Sequence, residues 1–214
     1  APSDNLKYWV ELAYLGGRDE FSRKISAVGL DVGFTYWFRR LAFGPSITVG
    51  YAFGTGDRDP KDSVDHEFRQ TGLQSNESRF AGLADFKYYG EALDPELSNL
   101  KIITLGVGFR PMPNVSVDFV YHRYRLHNIA DALRNSALTA EINQNDAEQS
   151  RDIGSGFDIV VGIRNLFRLR RLGLDLRVGW FFPGKAYRIQ EGDPDNPTFR
   201  PADNGMLAIA KFWY

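Results

Sequence analysis

Asp175 and Arg177 stand two residues apart in LGLDLRVGWFF (172–182), between Gly173 and Gly179. On an extended chain, residues two apart project to one face. The spacing therefore sets a carboxylate beside a guanidinium on a face otherwise free of bulk. Comparable faces recur. Asp31 lies between Gly29 and Gly33, Asp118 follows Ser116, Asp158 precedes Gly162 and Arg164, and Arg110 follows Gly106 and Gly108. Glu11, Asp85, Lys87, Glu91 and, near the C-terminus, Lys211 project to the same side. Neither sign dominates. Such a set suits two kinds of chemistry. Opposite charges on neighbouring strands pair and brace a wall, or they line a polar lumen and bias what passes through it.

Other chemistries find less support. His66, His122 and His127 are scattered and cysteine is absent, so no zinc-ligand spacing exists. GDRDPKDSVDHE (56–67) is acidic, but Asp62 stands where an EF-hand loop needs a sixth-position glycine; a solvated loop is expected. GSG (154–156) lacks the third glycine and the strand-to-helix setting of a dinucleotide site. No serine sits in a GxSxG elbow, and Ser116 and His122 are about 20 Å apart along one strand face. The expectation is therefore no enzyme, no metal and no cofactor. A formal charge of -1 gives no basic excess for nucleic acid. The four arginines of RNLFRLRR (164–171) read as a charged turn at a membrane interface, and DPDN (193–196) as a simple turn.

The elements that must position the charges are strands. In 26–38, Val28, Leu30, Val32, Phe34, Tyr36 and Phe38 share one face. Clean period-two alternation recurs in 46–54, 100–110, 115–125, 156–166 and 172–182. Strands at 6–15 and 205–214 are less regular, with Trp9 and Ile209 breaking the pattern in one register or the other. The eight predicted strands have the length a tilted membrane strand needs, about 9–11 residues. Connections alternate between short (39–45, 111–114, 167–171) and long (16–24, 54–99, 126–155, 183–204). This is the pattern of a barrel with tight turns on one rim and outer loops on the other. The strand-like SRFAGLADFKYYGE (78–91) is placed inside the long loop, as a hairpin or folded into the lumen. Residues 128–142 (NIADALRNSALTAEI) have helical spacing, with Asn128 as N-cap.

The faces decide the medium. One face carries large apolar residues; the other carries Gly, Ala, Ser, Asp and Arg, unlike the long polar groups of a water-facing strand. The apolar face is thus expected outside, against lipid. Tyr8, Tyr14, Phe38, Phe53, Phe109, Tyr121, Trp180 and Phe182 near strand ends suit aromatic girdles. No run of about 18 apolar residues offers a transmembrane helix. The polar start Ala1-Pro2-Ser3-Asp4 is not a signal peptide, so any export signal is expected to have been removed or to lie upstream. The fold class expected is an all-β, antiparallel transmembrane barrel, one domain over 1–214. The terminal AKFWY resembles the assembly signal of outer-membrane barrels.

QTGLQSN (70–76), YGEAL (89–93), ELSNL (96–100), VYH (120–122) and FPGKAY (182–187) resemble, in order and spacing, the C-terminal part of the outer-membrane alginate export proteins. The resemblance implies a Gram-negative outer membrane and a passive pore for a polar, anionic or oligosaccharide-like solute such as an acidic polysaccharide. It implies as partners the membrane lipids and, through the C-terminal strand, the outer-membrane assembly machinery. It implies a lumen rich in arginine, since guanidinium binds carboxylate in a bidentate way. Arg177 matches a lumen arginine of the family; Asp175, Asp85 and Asp94 stand where the family carries arginine. The pore-lining set is then Arg177, Asp175, Asp85, Lys87, Asp94, Arg110, Asp118, Asp158, Arg164 and Asp31. Family members are about twice this length, so the eight strands are either the end of a larger barrel or a complete small one. The lumen glycines suit a narrow barrel or a wide wall with a loop packed against it. A closed barrel of eight would hold loop 54–99 outside. The alternatives are a sealed anchoring barrel and a soluble lipocalin-like one.

Overall fold

A computed structural model describes residues 5–70, 76–134, 136–138, 141–143, 149–169, 171–193, 196–200 and 202–214. Residues 1–4, most of QTGLQSN (71–75) and the middle of DPDN (194–195) lie outside the described residues. Every long element among the described residues is a β-strand. Strands β1 (Leu6–Arg18), β2 (Lys24–Trp37), β3 (Ser46–Gly54), β7 (Leu100–Met112), β8 (Val115–Leu126), β9 (Asp152–Arg164), β10 (Gly173–Pro183) and β13 (Gly205–Trp213) follow one another as antiparallel neighbours in one sheet. Between them lie the shorter β4 (Val64–Asp65), β5 (Glu77–Ser78), β6 (Phe86–Lys87), β11 (Ile189–Asp193) and β12 (Asn196–Arg200). β4 adds to β2 in parallel, whereas β5 pairs β6 and β11 pairs β12 as separate hairpins. The sheet is not closed: β1 and β13 are its two edges, and no pairing joins them among the described residues.

Alternation sets the faces as the pattern requires. Ile47, Val49, Tyr51, Ile103, Leu105, Val107, Phe109, Phe119 and Tyr121 are exposed on the convex side. Their neighbours Ser46, Thr48, Ala52, Thr104, Ser116, Asp118 and His122 are buried on the concave side. Register resolves the two irregular strands. Trp9 pairs opposite Gly33 and Ile209 opposite Arg177, so both belong to the concave face, and Tyr8, Val10, Leu12 and Tyr14 to the convex one.

Two expectations meet different outcomes in the loops. SRFAGLADFKYYGE forms the β5–β6 hairpin and its continuation, folded onto the concave face, where Ala84, Phe86, Tyr89, Ala92 and Leu93 are buried. The helix expected over 128–142 is absent among the described residues of that stretch. Asn128 caps no helix: its N–H donates to Asn99 Oδ1 at 2.8 Å and its side chain to Gly56 O at 2.7 Å. Ala137 and Ile142 spend their N–H groups on Leu93 O and Asp131 O. Asn and Ser side chains compete for backbone partners, and tertiary contacts win over a helical spacing of only four apolar residues. Among the described residues the helical turns are 3-10, at Lys185–Tyr187 and at Leu166–Arg168, where Phe167 departs from helical geometry at φ 52°.

Candidate functional site

The concave face is occupied by the chain's own residues 76–99. Small residues on the wall let that segment approach. A Cβ built on Gly162 would lie 2.8 Å from Ala84 N, and one on Gly179 would lie 2.9 Å from Ala92 N and 2.7 Å from Glu91 Cβ. Side chains that small leave room for a backbone against a backbone. Gly90, at φ +107°, turns the segment against Tyr124, whose hydroxyl donates to Tyr89 O at 2.7 Å. The glycines of the charged face thus serve a wall with a loop packed on it.

The wall charges hold the segment. Asp31 accepts from Tyr89 Oη and from Trp9 Nε1, both at 2.7 Å. Asp158 accepts the Glu91 N–H at 3.3 Å on each oxygen and lies 3.1 Å from His122 Nε2; His122 Nδ1 meets Thr104 Oγ1 at 3.0 Å. Arg110 donates to Ala81 O from Nε at 3.0 Å and from Nη2 at 2.6 Å. Arg164 bonds Asp175 at 2.5 Å and donates to Leu83 O, and Ser116 Oγ accepts the Leu83 N–H at 2.8 Å. Asp118 is buried opposite Gly82. Arg177, 9% exposed, reaches Glu91 at 3.2 Å and Glu77 at 3.5 Å.

Of the ten residues expected to line a pore, seven lie on this wall: Asp31, Arg110, Asp118, Asp158, Arg164, Asp175 and Arg177. Three lie on the inserted segment. Lys87 pairs with Asp94 at 3.2 Å, and Asp85 is exposed, 3.9 Å from Arg79 Nε. The Asp175–Arg164 pair is cross-strand bracing. Sequence reasoning missed the Thr104–His122–Asp158 chain, because Thr104 meets His122 only in the β7–β8 register.

The pair Glu91–Arg177 is buried but incompletely bonded: Glu91 Oε2 and Arg177 Nε have no hydrogen-bond partner among the described residues. Removing two charges from water is costly, and incomplete bonding leaves part of that cost uncompensated. Glu91 belongs to the segment, not to a wall strand. Burial pushes its carboxyl above the ordinary 4.5, opposed by the Lys87 N–H and Arg177 and aided by Asp158 and Asp94. A raised acid favours docking while protonated, so its contribution is full below 4.5 and is lost as pH rises through the docked value. With no native cysteine, a polarity-sensitive dye on Asp85→Cys can report docking. The midpoint of denaturant-induced release should be higher at pH 4 than at pH 7, and Glu91→Gln should flatten the difference. Identical midpoints in the wild type would show that Glu91 does not govern docking.

Comparison with known proteins matches residues 1–200 to the alginate export family. The alginate production protein AlgE of Azotobacter vinelandii is 31% identical over 162 residues, covering 68% of this chain and 33% of that protein. AlgE of Pseudomonas aeruginosa is 30% identical over 174 residues, covering 73% of this chain and 33% of that protein. The chain therefore matches about a third of the length of these curated relatives.

Proposed function

The chain belongs to the alginate export family, and from that premise we propose that its eight long strands form wall of an outer-membrane β-barrel in a Gram-negative bacterium. The barrel passes an anionic, oligosaccharide-like solute by passive diffusion, and the substrate class is an acidic polysaccharide. The observation that carries the membrane reading is the convex face. Nine large apolar side chains stand exposed there on β3, β7 and β8, against a concave face of small and charged groups. Backbone groups in lipid must all be paired, so the edges β1 and β13 pair in the membrane, either with each other or with further strands. The whole of 1–214 acts as one barrel domain, with the loops 54–99, 126–155 and 183–204 leaving from the outer rim and residues 76–99 of the first folded back onto the concave face. Phe212, Trp213 and Tyr214, exposed at the end of β13, suit recognition by the assembly machinery.

The seven wall charges act as the lining of the solute path once the inserted segment withdraws, taking Asp85, Lys87 and Asp94 with it, and Arg177 is the cation that meets a solute carboxylate. Planar-bilayer recording under a salt gradient tests the reading. Steady openings are expected, and Arg177→Glu should move the reversal potential toward cation selectivity. Silence from folded, heat-modifiable protein would instead support a sealed barrel with an anchoring role. Openings that ignore the Arg177 change would put that residue outside the path.

A further inference from the structure

We propose that a second anion-binding site lies at the short-turn rim of the concave face and takes a carboxylate of the incoming solute before it reaches Arg177. A cavity of about 440 Å³ opens there between the start of β1, the end of β2 and residues 79–83 of the inserted segment. Four cations line it, Lys7, Arg39, Arg79 and Arg110, and no acidic side chain does among the described residues. The volume is that of a small-ligand pocket, which runs to roughly 300–1,000 Å³.

Three of the four cations are held by neutral partners. Trp37 stacks with two guanidiniums, Arg39 with Cζ 4.3 Å from the ring centroid and Arg110 at 4.2 Å. Arg110 is fixed further by Ala81 O, and Lys7 Nζ donates to Arg79 O at 2.8 Å. Stacking orients a guanidinium but leaves in-plane N–H groups able to donate to a carboxylate. Two carboxylates lie near without lining the cavity. Asp85 is 3.9 Å from Arg79 Nε with both side chains more than half exposed, and Asp118 is buried facing Gly82. An exposed contact of that length neutralises little in water. Four like charges converging on one space repel one another, and an anion entering it relieves the repulsion. The choice of a uronate carboxylate rests on the pore reading above; the cation cluster itself does not.

The rim also carries its own reporter, Trp37. The folded 214-residue chain in detergent would be titrated with a galacturonate trimer while tryptophan fluorescence is read, with maltotriose as the neutral control. A saturable change is expected for the uronate alone. It should vanish in Trp37→Phe, weaken about tenfold in Arg39→Gln/Arg79→Gln, fall with added salt and persist in Arg177→Gln/Glu91→Gln, where a neutral pair keeps the segment docked. Arg79→Gln alone, at an exposed side chain, keeps the test readable if the double variant misfolds. An equal response to maltotriose, an unchanged response in the rim variants, or a response lost only with Arg177→Gln/Glu91→Gln would overturn the site. Because binding is read without current, a silent channel that still binds sinks the pore reading alone, and a conducting channel that does not bind sinks the rim site alone.

Discussion

Arg177→Met is expected to release the inserted segment from the concave face at neutral pH. Glu91 is 1% exposed, its Oε1 shared between the Lys87 N–H and Arg177, and Asp158 lies on its other side. Methionine fills much of the space of the arginine stem but leaves the carboxylate without a cation. Removing one member of a buried ion pair costs about 3–5 kcal/mol. Protonation of Glu91 recovers part of this, at about 1.4 kcal/mol per pH unit between its pKa and the medium. A net loss of about 3 kcal/mol shifts the docked population by more than about a hundredfold. The dye at Asp85→Cys should report it as release without denaturant. Glu91→Gln in the same chain should restore docking, since a neutral amide needs no cation. A double variant no better than the single one would show that the pair is not what holds the segment.

Gly179→Leu should expel the same segment by volume instead of charge. The first carbon added there would meet Asp158 Oδ1 and Glu91 Cβ, each at 2.7 Å, and Ala92 N at 2.9 Å. Two of those three atoms belong to the segment, and one is backbone that no rotamer change can move. Overpacking costs about 1–3 kcal/mol even where neighbours can shift, and here the least costly response is for the segment to leave. The wall should survive. Position 179 pairs in register with Asp158 and Leu207, and its ladder contacts involve no side chain. Conductance should rise while the heat-modifiable mobility of the folded protein is kept. Val178→Leu, on the convex face, is the control and should change neither. A docked dye signal in Gly179→Leu would mean that the wall yields in place of the segment.

The strands were legible because a period of two is strong when one face is large and apolar and the other small. All eight predicted spans match the observed ones within about four residues at either end, which is ordinary for boundaries set by hydrogen bonding. Trp9 and Ile209 were ambiguous, since an edge strand is patterned by one neighbour only. The helix over 128–142 was misread because helical spacing there reflects contacts to two other loops. The charged residues were identifiable by face. Their partners were not, because pairing depends on register and on a segment returning from far along the chain. Nothing in the local pattern of LGLDLRVGWFF says that Arg177 will meet Glu91.

That separation has a consequence in time. The eight long strands are joined in sequence order, so the sheet can zip one neighbour at a time from either end. The inserted segment cannot settle on the same schedule. Glu91 precedes Arg177 by 86 residues, so its carboxylate, met locally only by the Lys87 N–H, waits for a cation until the tenth strand exists. During synthesis the segment is therefore among the early residues made and the late ones fully bonded. A chain stalled before residue 177 could hold the segment through Asp31, Arg110 and Ser116, yet its Glu91 carboxylate would still lack a cation.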